Sequence, residues 1–250
     1  MENAEIREEL SQLDCLYAFY YQAEGREQVY FANHDRFLSA SIIKIPILLS
    51  WLTLERAGLL NRAEICRLDD ESEVRGAGLS FLFRQRELPY QDLLTLMISL
   101  SDNLATNLII RHIGLPRLQE TFRDALGLKS TECGRKLMDY EARSRGIDNW
   151  VSAEEAVHFY DLLEALTEEE KSWVEPAFRY NTDDYLFKRN LRADSAIFYH
   201  KTGSIHRVLH DWGYTRQEKL FLFTNQINDN RRVIETFGKL GAALITLIPD

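Results

Sequence analysis

The stretch Ser41-Ile-Ile-Lys-Ile-Pro-Ile-Leu-Leu-Ser-Trp-Leu52 marks where this 250-residue chain turns from strand to helix. Ile42, Ile45, Leu48, Leu49 and Leu52 recur at three- and four-residue spacing, the period of one helix face, and Gly58 supplies a stop. Upstream lie a short acidic helix over residues 3–12 and two strand-like runs, Cys15–Gln22 and Gln28–Ala32, joined through Ala23-Glu-Gly-Arg26 with glycine at the turn. Downstream, helical patterns cover Tyr90–Leu100, Asn103–His112, Pro116–Leu126 and Ala153–Leu166. Strand signals return only at Ala196–Lys201, Val208–Thr215 and Lys219–Gln226, with Arg216-Gln217 as a tight turn. A last helix, roughly 229–245, places Val233, Phe237, Leu240 and Leu244 on one face. This order predicts an α+β fold: a five-stranded antiparallel sheet flanked by terminal helices, with an inserted all-helical lobe. No linker-like composition interrupts the chain, which predicts a single domain over 1–250, with an α/β lobe at about 1–38 and 191–250 and a helical lobe at about 39–190.

Bulk properties narrow the function. A hydrophobic share of 45% and a charged share of 28% suit a globular protein with a substantial core. A net charge of −9 argues against nucleic-acid partners and against adsorption to anionic membranes. Cys15, Cys66 and Cys133 form neither a paired framework nor a zinc spacing. His206 and His210 stand four apart, but no third ligand accompanies them, so neither a metal nor any other cofactor is expected. The N-terminal residues lack a basic segment followed by an apolar one, and no run is long and apolar enough to span a bilayer; the expectation is a cytoplasmic protein. The oligomeric state stays open.

Three short motifs carry the chemistry: Ser41-Ile-Ile-Lys44, Ser101-Asp102-Asn103 and Lys201-Thr202-Gly203. A serine hydroxyl is a poor nucleophile until a base takes its proton, and Lys44, three residues on at a helix start, falls on the same face. Free backbone N–H groups at that helix start can donate to an oxyanion. The plain alternative is a capping serine followed by a solvated lysine. Ser101-Asp102-Asn103 follows an apolar helix and reads equally as a cap. Lys201 is a point cation on a strand, and Gly203 lets a ligand come close to the backbone.

Taken together, Phe37-Leu-Ser-Ala-Ser41-Ile-Ile-Lys44, Gly76-Ala-Gly-Leu-Ser80 with Leu96-Met-Ile-Ser-Leu-Ser-Asp-Asn-Leu-Ala-Thr-Asn107, and His200-Lys-Thr-Gly-Ser204 resemble the class A-like serine β-lactamases and penicillin-recognising serine hydrolases. The resemblance runs from about Leu16 to the C-terminal helix. It implies that Ser41 is the acylated nucleophile, Lys44 its partner in proton transfer and Ser101 the donor to the leaving nitrogen. It further implies that Asn103 orients Lys44 and the substrate amide, that Lys201 and Thr202 hold the substrate carboxylate, and that the amides of Ser41 and Ser204 form the oxyanion hole, with Gly203 among the substrate-binding residues. The family's Glu-x-x-Leu-Asn string, which supplies the base for deacylation, is absent. Asp139-Tyr140-Glu141 is the closest match, making Glu141 the candidate base and Asp139 its alternative, while Arg145 stands where the family has an asparagine. Either acid could instead form an ion pair with Arg143 or Arg145. The implied function is β-lactam hydrolysis through an acyl-enzyme, the alternatives being a peptidase or esterase acting on another small amide or ester, or a non-catalytic penicillin-binding sensor.

Overall fold

The computed structural model describes residues 1–247. The chain divides into two compact units, one made of residues 1–42 with the chain from Thr182 onward and the other of residues 43–181. The sequence reading sets these borders near 38 and 190. Residues 182–190 belong instead with the sheet unit, because Phe187 packs edge-on against Phe198 and Phe237.

The first unit opens with α1 (Asn3–Ser11), β1 (Leu16–Ala23), β2 (Val29–Ala32) and β3 (Arg36–Leu38), and reaches the 3₁₀ turn Ala40–Ile43. The chain then passes through the second unit, α2 (Lys44–Arg56), β4 (Ile65–Arg67), β5 (Glu87–Pro89), α3 (Tyr90–Ser99), α4 (Asn103–Ile113), α5 (Leu115–Glu120), β6 (Glu132–Cys133), α6 (Tyr140–Ser144), β7 (Asn149–Ser152), α7 (Ala153–Glu164) and α8 (Glu168–Arg179). It returns to the first as β8 (Tyr199–Ile205), β9 (Val208–Tyr214), β10 (Glu218–Asn225) and α9 (Asn230–Leu244).

Five strands of the first unit form one antiparallel sheet in the order β2-β1-β10-β9-β8. Alternation sends Phe19, Tyr21, Leu220 and Leu222 to one face, where they meet Ile6 and Leu10 of α1 and Val233, Phe237, Leu240 and Leu244 of α9. Each such side chain contributes about 1.5–3 kcal/mol on burial. The terminal helices cover the sheet as the apolar spacing predicts, and Asp229 caps α9 by accepting from the amides of Arg231 and Arg232.

The expected strand at 196–201 lies at Tyr199–Ile205 instead. Ala196 bonds Thr246 outside the ladder, and the β8–β9 hairpin closes at the Ile205–Val208 pair. Its two-residue turn His206-Arg207, with Arg207 at φ +60°, fixes the register and sets Lys201 opposite Trp212 in mid-strand.

In the second unit α2 is buried nearly all round, from Lys44 to Leu54. Pro46 sits in its first turn, where no backbone donor is needed. The insert is not all-helical, since β4 pairs with β5 and β6 with β7. Two- to four-residue strands are too short to show a period of two. Helix α8 escapes apolar-pattern reading because its start, Glu168-Glu-Glu-Lys-Ser, is polar. Its signal is the reciprocal cap between Thr167 and Glu170. Among the described residues, no helix is long and apolar enough to cross a membrane.

Candidate active site

In the first unit, Ser41 lies in the 3₁₀ turn Ala40–Ile43, which feeds without a break into α2 at Lys44. The preceding residue, Ala40, is held at φ +43°, a left-handed conformation that an L-residue rarely adopts. Strand β8 runs close to this turn at Gly203. A Cβ built there would stand 3.1 Å from the Ser41 amide nitrogen and 3.2 Å from Ala40 Cβ and Ile42 Cγ1. Glycine at 203 is therefore what lets the Lys201-Thr202-Gly203 strand lie against the backbone of Ser41. Ser204, next along, is exposed.

Lys201 is fully buried, and its Nζ donates to the Thr202 carbonyl at 3.0 Å. Burial pushes its ammonium down to about 8, opposed by the negative charges of Asp183 and Asp211. Thr202 Oγ1 donates to Asp183 Oδ2 at 2.5 Å. Behind the strand, His200 Nδ1 donates to Asp211 Oδ1 at 3.0 Å, and Asp211 Oδ2 accepts from the Phe187 amide at 3.2 Å. His210 donates from Nε2 to the Leu38 carbonyl at 2.8 Å and accepts at Nδ1 from the Thr224 amide at 3.1 Å. Both of its nitrogens are thus used in the neutral form, and burial lowers its pKa to about 4. His206 is exposed in the hairpin turn, and among the described residues no group of His, Cys, Asp and Glu side chains is placed to hold a metal.

In the second unit, Lys44 is fully buried and spreads its donors over three acceptors: the Ser101 carbonyl at 2.6 Å, Ser101 Oγ at 2.9 Å and Asn103 Oδ1 at 3.0 Å. Ser101 reaches it from a left-handed backbone, φ +53°. Asp102 faces the other way. It caps α4 through the Ala105 amide and accepts from the amides of Leu79 and Ser80 and from Ser80 Oγ. Asn103 in turn donates from Nδ2 to the Arg75 carbonyl and from its amide to the Ala77 carbonyl. One turn further along the same face of α4, Asn107 brackets Leu137, donating to its carbonyl at 3.0 Å and accepting from its amide at 2.8 Å.

The candidate deacylation acids stand elsewhere in this unit. Glu141 has a side chain 83% exposed and pairs with Arg145 at 2.6 Å. Asp139 caps α6 through the Ala142 amide at 2.9 Å. In the second unit Lys44, Ser101 and Asn103 meet, and in the first the backbone of Gly203 lies against that of Ser41. Sequence reasoning missed Asp183 and the Asn107–Leu137 clamp. Asn107 carried a faint signal in its four-residue spacing from Asn103, whereas Asp183 carried none.

The fold is shared with solved serine β-lactamases and penicillin-binding proteins. A β-lactamase from Sphaerobacter thermophilus DSM 20745 matches 99% of this chain and 100% of its own at 22% identity and a TM-score of 0.83. PBP-A matches 96% of this chain and 92% of its own, at 22% identity and a TM-score of 0.78. A PBP-A mutant in an acyl-enzyme complex with penicillin G matches the same shares at 21% identity and the same TM-score. No curated protein sequence matches the chain. The profile of the beta-lactamase enzyme family matches residues 3–248, and the chain belongs to that family.

Proposed function

We propose that the protein is a serine hydrolase that opens β-lactams through an acyl-enzyme on Ser41, and that release of the acyl group is its slow step. The observation that carries this is the Lys44 side chain, buried three residues beyond Ser41 on one continuous stretch of backbone and bonded to Ser101 Oγ and Asn103 Oδ1. A buried lysine whose neighbours are a hydroxyl, a carbonyl and an amide oxygen is suited to proton exchange. Ser101 Oγ can accept from it in one step and donate in the next. In this reading Lys44 acts as the neutral amine: it takes the Ser41 proton and hands a proton to Ser101 Oγ, whose own proton passes to the leaving nitrogen, while Asn103 orients Lys44 and the substrate amide. The amides of Ser41 and Ser204 receive the oxyanion, with Gly203 leaving room for it, and Lys201 and Thr202 face the group beyond the lactam ring.

Acylation and release need different proton acceptors. Glu141, the acid that the sequence offers for activating water, is exposed and committed to Arg145, and Asp139 is committed to a helix cap. The residue clamped on the face of α4 that presents Asn103 to Lys44 is Leu137, which cannot accept a proton. This favours a long-lived adduct, so the protein works as a slow β-lactamase or as a penicillin-binding protein that turns over poorly. Intact mass spectrometry after incubation with penicillin G tests the reading. One equivalent of adduct, lost in Ser41→Ala and persisting over hours, is the expected result. Absence of any adduct, together with no nitrocefin turnover, refutes it. Rapid cleavage of p-nitrophenyl esters without penicillin labelling would point to an esterase instead.

A further inference from the structure

Of the two side chains assigned to the substrate's carboxylate, one already donates to a carboxylate of the protein and the other lies in that carboxylate's field. Thr202 has one hydroxyl proton, and it goes to Asp183 Oδ2 at 2.5 Å. Lys201 lies in the field of both Asp183 and Asp211. The segment that carries Asp183 is fixed on either side. The Asp184 amide bonds the Thr182 carbonyl at 3.2 Å, Lys188 pairs with Asp184 at 2.5 Å, and the Phe187 amide is tied to Asp211. Asp183 is thus part of a set framework and makes, from inside the protein, the contacts that a ligand carboxylate would make with Thr202.

A second carboxylate arriving there would find the hydroxyl proton taken and would meet a like charge within hydrogen-bonding range of the same oxygen. Like charges forced together near a protein surface cost affinity steeply. A hydroxyl, an amide or an amine at that place would instead gain a partner in the Asp183 carboxylate.

We propose that Asp183 is a specificity-determining residue that fills the carboxylate half of the Lys201–Thr202 subsite, so that the acyl donors this protein prefers carry a neutral or cationic group where penicillins carry a carboxylate. The proposal rests on the reading of Ser41 as the acylated residue and names the substrate class of that same site.

The test separates binding from acylation. In a Ser41→Ala background, calorimetry gives dissociation constants for benzylpenicillin and for its methyl ester. With Asp183 present, the ester is expected to bind at least as tightly as the acid. Asp183→Asn should tighten the acid by about tenfold or more while moving the ester less than about twofold. Asp183→Glu, which keeps the charge, should leave the acid weak. Tenfold tighter binding of the acid in the presence of Asp183 overturns the proposal, as does an acid affinity that Asp183→Asn leaves unchanged. If Asp183→Asn does not fold, the comparison of acid and ester in the Ser41→Ala protein decides. Failure of the Ser41 protein to form a penicillin adduct would sink the acylation reading alone, since the binding preference is read without it.

Discussion

Replacing Asp102 by alanine tests how the site of the second unit is held. Its carboxylate is almost fully buried and takes four donors: the Leu79 amide at 2.8 Å, the Ser80 amide at 2.8 Å, Ser80 Oγ at 2.7 Å and the Ala105 amide at 2.9 Å. Loss of the α4 cap alone costs about 1 kcal/mol. The amide and hydroxyl of Ser80 would be stranded in a buried place, at roughly 1–2 kcal/mol each. The half-buried Leu79 amide can recover part of its loss from water. The sum for Asp102→Ala is about 3–5 kcal/mol, a large part of the 5–15 kcal/mol that typically separates folded from unfolded domains. The loop lies directly on Asp102: a Cβ on Gly78 would fall 2.2 Å from Asp102 Oδ2 and 2.3 Å from its Cα. The loop also supplies the Arg75 and Ala77 carbonyls that hold Asn103, and Asn103 is one of the acceptors of Lys44. Acylation by penicillin should therefore slow by at least about tenfold in whatever protein still folds, because the 1.4 kcal/mol this represents is less than one lost buried hydrogen bond can cost. Urea unfolding followed by far-UV circular dichroism measures the first effect, and time-resolved intact mass the second. A stability change under about 1 kcal/mol with unaltered acylation would refute the idea that Asp102 organises this loop.

Three further outcomes follow from the same contacts. Lys201 titrates near 8 in the fold against an ordinary 10.5, so between those values the unfolded chain holds more protons. Stability should rise by about 3 kcal/mol as pH goes from 8 to 10.5, and urea midpoints for Lys201→Met should lack that rise. His210, near 4 in the fold against 6.5, carries the same sign at lower pH. Stability should fall by about 3 kcal/mol as pH drops from 6.5 to 4, and His210→Gln should remove that dependence in thermal melts across the range. Leu137→Glu should shorten the lifetime of the penicillin adduct by about tenfold or more, since it adds an acid to the residue whose backbone is clamped by Asn107, one helical turn from Asn103, whereas Glu141→Gln should change that lifetime by less than about twofold; the reverse ranking, read by mass spectrometry, would return the deacylation role to Glu141.

Much of this was legible in the sequence for identifiable reasons. The central strands alternate, α9 carries a clear apolar stripe, α2 is apolar nearly all round, and Arg216-Gln217 and the glycine at 25 mark hairpins, so the sheet and its covering helices follow from local pattern. The register of β8 did not, because it is set by the two-residue turn at 206–207 and not by the composition of 196–201. The site divides in the same way. Ser41, Lys44, Ser101, Asn103, Lys201 and Gly203 stand in short motifs whose spacing reflects one helix turn or one strand. Asp183 and Thr202 are 19 residues apart, and Asn107 and Leu137 are 30 apart. No periodicity spans such separations, so only folded coordinates bring these groups together. Glu141 is the instructive case. It had the best local string, and its neighbour four residues on, Arg145, claims it.

The backbone adds an argument about where this chain stores strain. Among the described residues, five non-glycine residues adopt a left-handed φ: Ala40, Ser101, Met138, Arg207 and Gln226. The last two serve the β8–β9 hairpin turn and the exit of β10, where chain reversal accounts for them. The other three sit immediately before Ser41, at Ser101 itself and immediately after Leu137. Each such conformation costs of order 1 kcal/mol and persists only where the surroundings over-determine it. Glycine would relieve the strain at each place, yet it would also free the neighbouring backbone to wander in both φ and ψ. Ser101 cannot be replaced in this way without losing the hydroxyl that meets Lys44, and at Ala40 and Met138 a side chain limits how the adjoining residue can move. A Cβ on Gly76 would lie 2.9 Å from Met138 Cε and 3.4 Å from Asn103 Nδ2, so Met138 is packed against the backbone beside Asn103. These three strained residues thus fix the direction of Ser41, of the hydroxyl that meets Lys44 and of the clamped Leu137, which is the distribution expected where geometry at a few atoms matters more than the last kcal/mol of stability.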